Sequence, residues 1–478
     1  MKDKENDSQQ SKVSTPLPHR EGQGGGSVGG GSVGSAGRDS SGSISSLFYS
    51  YLGAYILVAL SGCLGNVIDG IIVGNLISED GVSAINLSKP INQFIYTLHL
   101  LINAGAGMLV AYALGQKDIA QARRFFTRAL MLSIGVSLLL SIFGGILFPD
   151  ETARMLCSNE QILPLARDYM QVLLLGNPAF ILMWGLSTMV GVDGKPKLVS
   201  AAVIIDNAVN LLLDIVFIQC FGWGITGSSA ATVVGHIVGI AILLSHWWNP
   251  ANRRLTPVFS FDGLLYSWRR ILSQGAPLAI ASISLTLLML SANTIVLSTL
   301  GRTGIFAFAV CMNLLQVYNL FLSGTCQTLQ SLGAIQVGKK NEEGLHTILR
   351  RAFRFITAAM AVTCILVWAF PESIARLFGA EEATMLAECI HALRIFALSF
   401  IPFCYIYVIM IVYKLYGQHR MALFISFALS LTVIPVLWLM ARWQPSMLWY
   451  SYLIAYLIEA VAIFTLHRLS HVELRLSK

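Results

Sequence analysis

From residue 47 onward the chain is a succession of long apolar stretches joined by short polar ones. Twelve of them fall at 47–77, 84–114, 123–148, 163–192, 198–219, 225–248, 271–300, 305–337, 348–370, 387–415, 421–441 and 447–467. About 20 mostly apolar residues suffice for a helix to cross the hydrocarbon core of a bilayer. Each stretch reaches that length, which predicts an all-α, multi-pass membrane protein. Composition agrees: charged residues make up 12% of the chain, against about 25% in soluble proteins. The mean hydropathy is +0.67.

Residues 1–45 differ in kind. They include "GQGGGSVGGGSVGSAGRDSSGS", which has almost nothing to bury and predicts a disordered tail. They also lack the basic and apolar regions of a secretory leader. The net charge of +7 is explained by topology, not nucleic-acid binding. One alternate set of loops carries seventeen Lys and Arg, the opposite set only six. The richer set includes Arg123, Arg124, Arg253, Arg254, Lys339 and Lys340. The poorer set is acidic, with Asp150, Glu151, Glu160, Glu372, Glu381 and Glu382. The positive-inside rule then places the basic loops and both termini in the cytoplasm, of a bacterial inner membrane. The eight cysteines show no zinc or redox spacing. Cys63, Cys311, Cys326, Cys364 and Cys404 lie within apolar stretches and read as buried small residues.

The chain also repeats. "FPDETARMLCSNEQILPLARDY" from Phe148 returns as "FPESIARLFGAEEATMLAECI" from Phe370. "GQKDIAQARRF" at Gly115 returns as "GKKNEEGLHTILRR" at Gly338, and "DGKPK" at Asp193 as "YGQHR" at Tyr416. The offset stays at 222–223 residues. Six helices per half is an even number, so both halves enter the membrane the same way round. The expected organisation is a tail (1–45), a first bundle (46–250), a linker (251–270), a second bundle (271–467) and a short tail (468–478). Transporters built from parallel repeats bind substrate between the halves and rock them to alternate access.

Among the 25 Asp and Glu residues, Asp69, Asp206, Asp214 and Glu459 lie inside apolar stretches. A charge at the centre of a span costs about 2.5–3.5 kcal/mol on insertion scales and usually marks function. Counting 1.5 Å per residue from the acidic-loop end puts Asp69 ~12 Å deep, Asp214 ~8 Å and Thr232 ~10 Å. Asn210 is one turn from Asp214, on the same face. These four oxygen-bearing side chains, from three helices, suit either Na⁺ or a proton on a desolvated carboxylate. Asn66, one turn before Gly70, is a second candidate for coupling, as is Asp206. Gly62, Gly70 and Gly74 are explained by close helix packing. His99 and His236 read as satisfied buried histidines.

In the second half Asn313, Gln316 and Gln327 form a polar stripe. With Tyr405, Met410 and Glu459 they are candidates for a substrate cavity; Met and aromatic side chains suit adaptable binding. Ordinary core packing explains the apolar members equally well. No G-x-x-x-x-G-K-[ST] is present, nor H-E-x-x-H or G-x-S-x-G. ATP-driven pumping, enzymatic catalysis and a potassium-type filter find no support.

"GNVIDGIIVGNL", "DGKPK", Asn210-x-x-x-Asp214 and "FGWGITGSSAATVVG" at 221–235 together resemble the multidrug and toxic compound extrusion (MATE) family, over residues 47–467. The resemblance implies two six-helix bundles in a V around a central cavity. It implies export of drugs or organic cations in exchange for H⁺ or Na⁺, with no cofactor, no nucleic acid and a monomer in the lipid bilayer. Asp69, Asn210, Asp214 and Thr232 match the family's cation-coupling residues. "GAPLAIASISL" from Gly275 lacks the glutamate that NorM-like members carry after Gly-x-Pro, which points toward the DinF-like or MepA-like branches. The alternative is a lipid-linked precursor flippase of the same superfamily, for which clustering of Lys89, Arg394 and Lys414 in the cavity would speak. A membrane enzyme ranks last.

Overall fold

The computed structural model describes residues 35–77, 79–157, 160–249, 254–380 and 382–469. It divides into two compact units, Met1–Ser40 and Ser41–Lys478, and the second carries the fold. Among the described residues the structure is almost entirely helical, with no strand. We number the long helices in chain order. The first half has α1 (Ser35–Leu76), α2 (Ser83–Gly115), α3 (Ile119–Leu147), the bent α4 (Leu163–Leu175 and Asn177–Val192), α5 (Pro196–Cys220) and α6 (Gly224–Trp248). The second has α7 and α8 within Leu264–Gly338, then α9 (Glu342–Ala369), α10 (Ala383–Leu415), α11 (His419–Trp443) and α12 (Met447–Leu466).

Ten of these stretches are long and apolar enough to cross a membrane, or eleven with the bent pair. The expected twelve are reached because α7 and α8 run on as one 75-residue stretch. Gly301 (φ 62°, ψ −149°) breaks it, a conformation that L side chains resist, so 264–300 and 302–338 are separate helices. In α4 the 47° bend falls at Gly176-Asn177-Pro178. Pro178 has no N–H to donate and its ring crowds the preceding turn.

Helix runs across two of the expected boundaries. α1 is helical from Ser35, inside the expected tail, because extending a nucleated helix is far easier than starting one. Residues 1–34 and 470–478 lie outside the described residues. The expected linker is helical from Leu264 onward, and its earlier part is fastened down. Arg123 Nε donates to the Arg254 carbonyl at 2.8 Å, and Thr127 Oγ1 accepts from Val258 N at 2.8 Å. Asp193 is buried between His246 (2.8 Å) and Arg254 (3.0 Å).

The repeat is visible in backbone detail. Lys117 and Lys340 both take positive φ (63° and 54°). Asp118 and Asn341 then cap α3 and α9, each accepting a backbone N–H at 2.9 Å from three residues on. Phe148 (φ −130°, ψ 49°) and Phe370 (φ −127°, ψ 43°) each end a helix, and a proline opens the short helix that follows. The halves meet where the repeat pairs with itself. A Cβ on Gly115 would fall 2.2 Å from the Ile335 carbonyl, and one on Gly338 would fall 2.1 Å from that of Tyr112. Only glycine permits this approach of α2 and α8. Tyr55 and Ser331 hydroxyls bond across the same side at 3.0 Å. This contact lies at the basic-loop ends of the helices.

Candidate functional site

α5 and α6 pack along their length and bring the polar residues of the first half together. Gly235 and Gly239 leave room for this: a Cβ on Gly235 would sit 2.7 Å from Asp206 Oδ1, and one on Gly239 would sit 3.2 Å from Asp206 Cβ. Asn210 Nδ2 donates to Thr232 Oγ1 at 3.2 Å. Thr232 Oγ1 donates onward to the Ser228 carbonyl at 3.1 Å, the usual way a hydroxyl is satisfied inside a helix. Asp214, one turn beyond Asn210, is completely buried. Thus Asn210, Thr232 and Asp214 lie along one α5–α6 seam. Asp69 is in a helical part of α1, as is Asn66, but their side chains lie outside the described residues.

Asp206 has a specific partner. His236 Nδ1 sits 2.8 Å from Oδ2 and 3.0 Å from Oδ1. With the carboxylate ionised, Nδ1 carries the proton and donates. Both side chains are enclosed, at 12% and 6% exposure. The imidazole rests edge-on against Phe180, with centroids 4.4 Å apart. Trp184 lies next, 6.2 Å from His236 and 5.3 Å from His99. His99 Nδ1 is 3.3 Å from Asn103 Nδ2, and Ser133 Oγ donates to Asn103 Oδ1 at 3.0 Å. The interior of the first half therefore holds polar groups from α2, α3, α5 and α6, with an aromatic wall contributed by α4.

Reading the residues one at a time missed His236 as the partner of Asp206. Depth was the available signal: Asp206 is about 15 Å and His236 about 18 Å from the basic-loop ends of their helices. Asn207 was missed too. Its Nδ2 donates to Ser61 Oγ at 2.9 Å, which ties α5 to α1 beside Gly65, where a Cβ would meet Asn207 Oδ1 at 3.1 Å.

The second-half candidates scatter. Asn313 and Gln316 are exposed on α8, and Asn313 Nδ2 donates to the Ala309 carbonyl at 2.9 Å. Gln327 is half-buried and donates to Ser323 Oγ at 3.2 Å. Tyr405 bonds the Thr357 hydroxyl and stacks on Phe353 at 6.1 Å. Met410 is fully buried, its sulfur accepting from Ser426 Oγ at 3.0 Å. Glu459 is 2% exposed, and neither carboxylate oxygen has a hydrogen-bond partner among the described residues. Helix packing encloses Met410 and Glu459.

Comparison with known proteins agrees with this architecture. The sequence profile of the family described as MatE matches residues 47–216 and 277–439, one stretch in each half of the repeat. The probable multidrug resistance protein YoeA of Bacillus subtilis is 21% identical over 336 residues, 67% of this chain and 71% of that protein. An FAD transporter of Shewanella oneidensis is 22% identical over 320 residues, 65% and 69% of the two chains. Among solved structures, a MATE crystal structure in the bent conformation superposes with a TM-score of 0.81 at 18% identity, covering 91% of this chain and 97% of that one. A MOP superfamily transporter from Pyrococcus furiosus, whose binding pocket is described as reversed in polarity, gives 0.79 at 18% identity, covering 89% and 95%. With its profile matched over more than half its length, the chain belongs to the MatE family, multi-pass membrane transporters and not enzymes.

Proposed function

We propose that the protein is a secondary-active exporter of small organic molecules, drugs or organic cations, that runs on inward H⁺ or Na⁺. The observation that carries this reading is the α5–α6 seam. It buries Asp206 and Asp214 with Asn210, Thr232 and His236 in a helix pair that the chain could have built from apolar residues. The names of the Bacillus subtilis relatives support a multidrug range. In this reading Asp69 of α1 completes the coupling site with Asn210, Asp214 and Thr232, and Asn66 and Asp206 stand behind it. The basic loops and both termini are cytoplasmic, and the contact of the halves on that side supports an outward-open form. The protein works as a monomer in the plasma membrane. The missing glutamate after Gly275-x-Pro277 supports the DinF-like or MepA-like branches.

The cycle follows from differential affinity, the only means by which a ligand shifts a two-state equilibrium. An ion entering from outside neutralises the carboxylates of the first half. Their desolvation then costs less, α1 repacks against α5, and the drug-binding form loses its advantage. The exposed Asn313 and Gln316, with Gln327 and Tyr405, are the residues proposed to meet substrate. A flippase is not favoured: Lys89 and Arg394 are exposed and neither lines the cavity that holds Lys414.

The test is dye efflux from vesicles under an imposed pH gradient, with and without Na⁺. Asp69→Asn and Asp214→Asn should each abolish ion-driven efflux while the protein is still made and inserted. Wild-type efflux from either variant would remove that residue from the coupling site.

A further inference from the structure

On the basic-loop side a cavity of about 240 Å³ lies between the ends of α2, α7, α8 and α10. Met108, Leu109 and Tyr112 form its first-half wall. The second half supplies Arg270, Gln274, Lys340, Lys414 and Tyr416. Three cations thus share one small space that no carboxylate lines. Glu342 is exposed at the start of α9. Arg270 is held over the Phe125 ring, 5.3 Å from its centroid. Lys340 is set by its positive-φ turn.

Lys414 decides the matter. It is 1% exposed, and its Nζ has no hydrogen-bond partner among the described residues. A buried, unpaired ammonium is strongly unfavourable. The fold does not ask for it, since the counterpart one repeat earlier, Gly191, has no side chain at all. Gln274 faces the same space, with its Nε2 3.4 Å from His419 Nε2 and its Oε1 without a hydrogen-bond partner among the described residues. The charged groups that line the space are all positive, suited to a compact oxyanion with several acceptor oxygens.

We propose that this cavity binds a phosphate-type anion, from a free phosphate ester or a lipid headgroup, and that the bound anion fastens the two halves together on the basic-loop side. The site is separate from the α5–α6 seam and does not depend on the coupling role assigned there.

The test uses the full-length protein in phosphatidylcholine nanodiscs and equilibrium dialysis against radiolabelled inorganic phosphate. Saturable binding is expected, weakened about tenfold or more by Lys414→Met and by Arg270→Gln, the loss of one charged hydrogen bond each. Lys414→Met should melt above the wild type without anion, since it removes the buried charge. Should that variant not accumulate, Arg270→Gln and Lys340→Gln, both at solvent-reachable positions, carry the comparison. Replacing part of the phosphatidylcholine by phosphatidylglycerol separates the sources. Loss of phosphate binding there, or a higher melting temperature that Lys414→Met and Arg270→Gln abolish, assigns a lipid headgroup; undiminished phosphate binding assigns a soluble ester. Absence of saturable phosphate binding together with no effect of phosphatidylglycerol overturns the proposal. So does binding that these variants leave unchanged.

Discussion

The two halves of the molecule are built alike and filled differently. α5 and α11 begin and end 223 residues apart, and α6 and α12 begin at the same spacing. At that spacing Asp206, Asn210 and Asp214 correspond to Leu429, Val433 and Leu437 of the second half, and Thr232 corresponds to Ala455. All four counterparts are buried. The same helix pair is therefore made once with carboxylates and amides and once with Leu, Val and Ala. Packing does not require the polar set, and insertion into a membrane disfavours it. A selected task is the remaining reason for it. His236 corresponds to Glu459, so an ionisable group stands at this position in both halves, paired with Asp206 in the first and buried in the second.

The sharpest way to break this comparison is to write the second half's residues into the first. Asn210→Val with Asp214→Leu should fold and insert, since Val433 and Leu437 show that the positions accept such side chains. Ion-driven dye efflux should fall to background. Retained efflux would mean that the polar seam is structural after all.

A second test addresses the pair. His236→Leu leaves Asp206 buried alone and should cost about 3–5 kcal/mol, whereas Asp206→Leu with His236→Leu should recover most of it or exceed the wild type. Chemical unfolding in detergent measures both. A double variant no more stable than His236→Leu alone would show that the aromatic wall of Phe180 and Trp184, and not the Asp206–His236 hydrogen bond, sets this packing.

Much of the fold was legible in the sequence, because period, length and charge asymmetry are local. Each of the twelve segments has its helix. The shared backbone turns at Lys117 and Lys340 lie within the repeated motifs that exposed the repeat. Element edges were less legible: α1 starts at Ser35, where helix propagation overrides a Gly/Ser composition. The site was legible in part. The Asn210–Thr232 bond follows from matched depth on adjacent helices. Asp206–His236 obeys the same arithmetic, but a histidine in an apolar stretch has so many satisfied settings that only packing identifies its partner. The burial of Met410 and Glu459 was not legible, for the opposite reason. A residue suited to a cavity is equally at home beside one, and a single sequence does not say which face of α10 or α12 turns inward.

Where the halves are alike, equal effects are expected. Gly115→Ala and Gly338→Ala each drive a Cβ into a backbone carbonyl of the facing helix, at 2.2 and 2.1 Å, so α2 and α8 must part. The readout is maleimide labelling of a cysteine at Ser331, a residue now shielded against Tyr55. Labelling should speed up about tenfold in both variants, or about 1.4 kcal/mol toward the open basic side. A response from only one of them would mean that the helices slide past each other and do not separate symmetrically.

The smallest effect is expected at Glu459. Its carboxylate is buried and without a hydrogen-bond partner among the described residues, and such a group destabilises the fold unless it is protonated. Glu459→Leu should therefore raise stability by about 1 kcal/mol and leave ion-driven efflux near wild type. A loss of efflux would show that the second half also couples to the ion, through the position that corresponds to His236 of the first. The contrast between the halves would then be one of pairing, with Asp206 holding His236 ready and Glu459 acting alone, and no longer one of a working half against a scaffold.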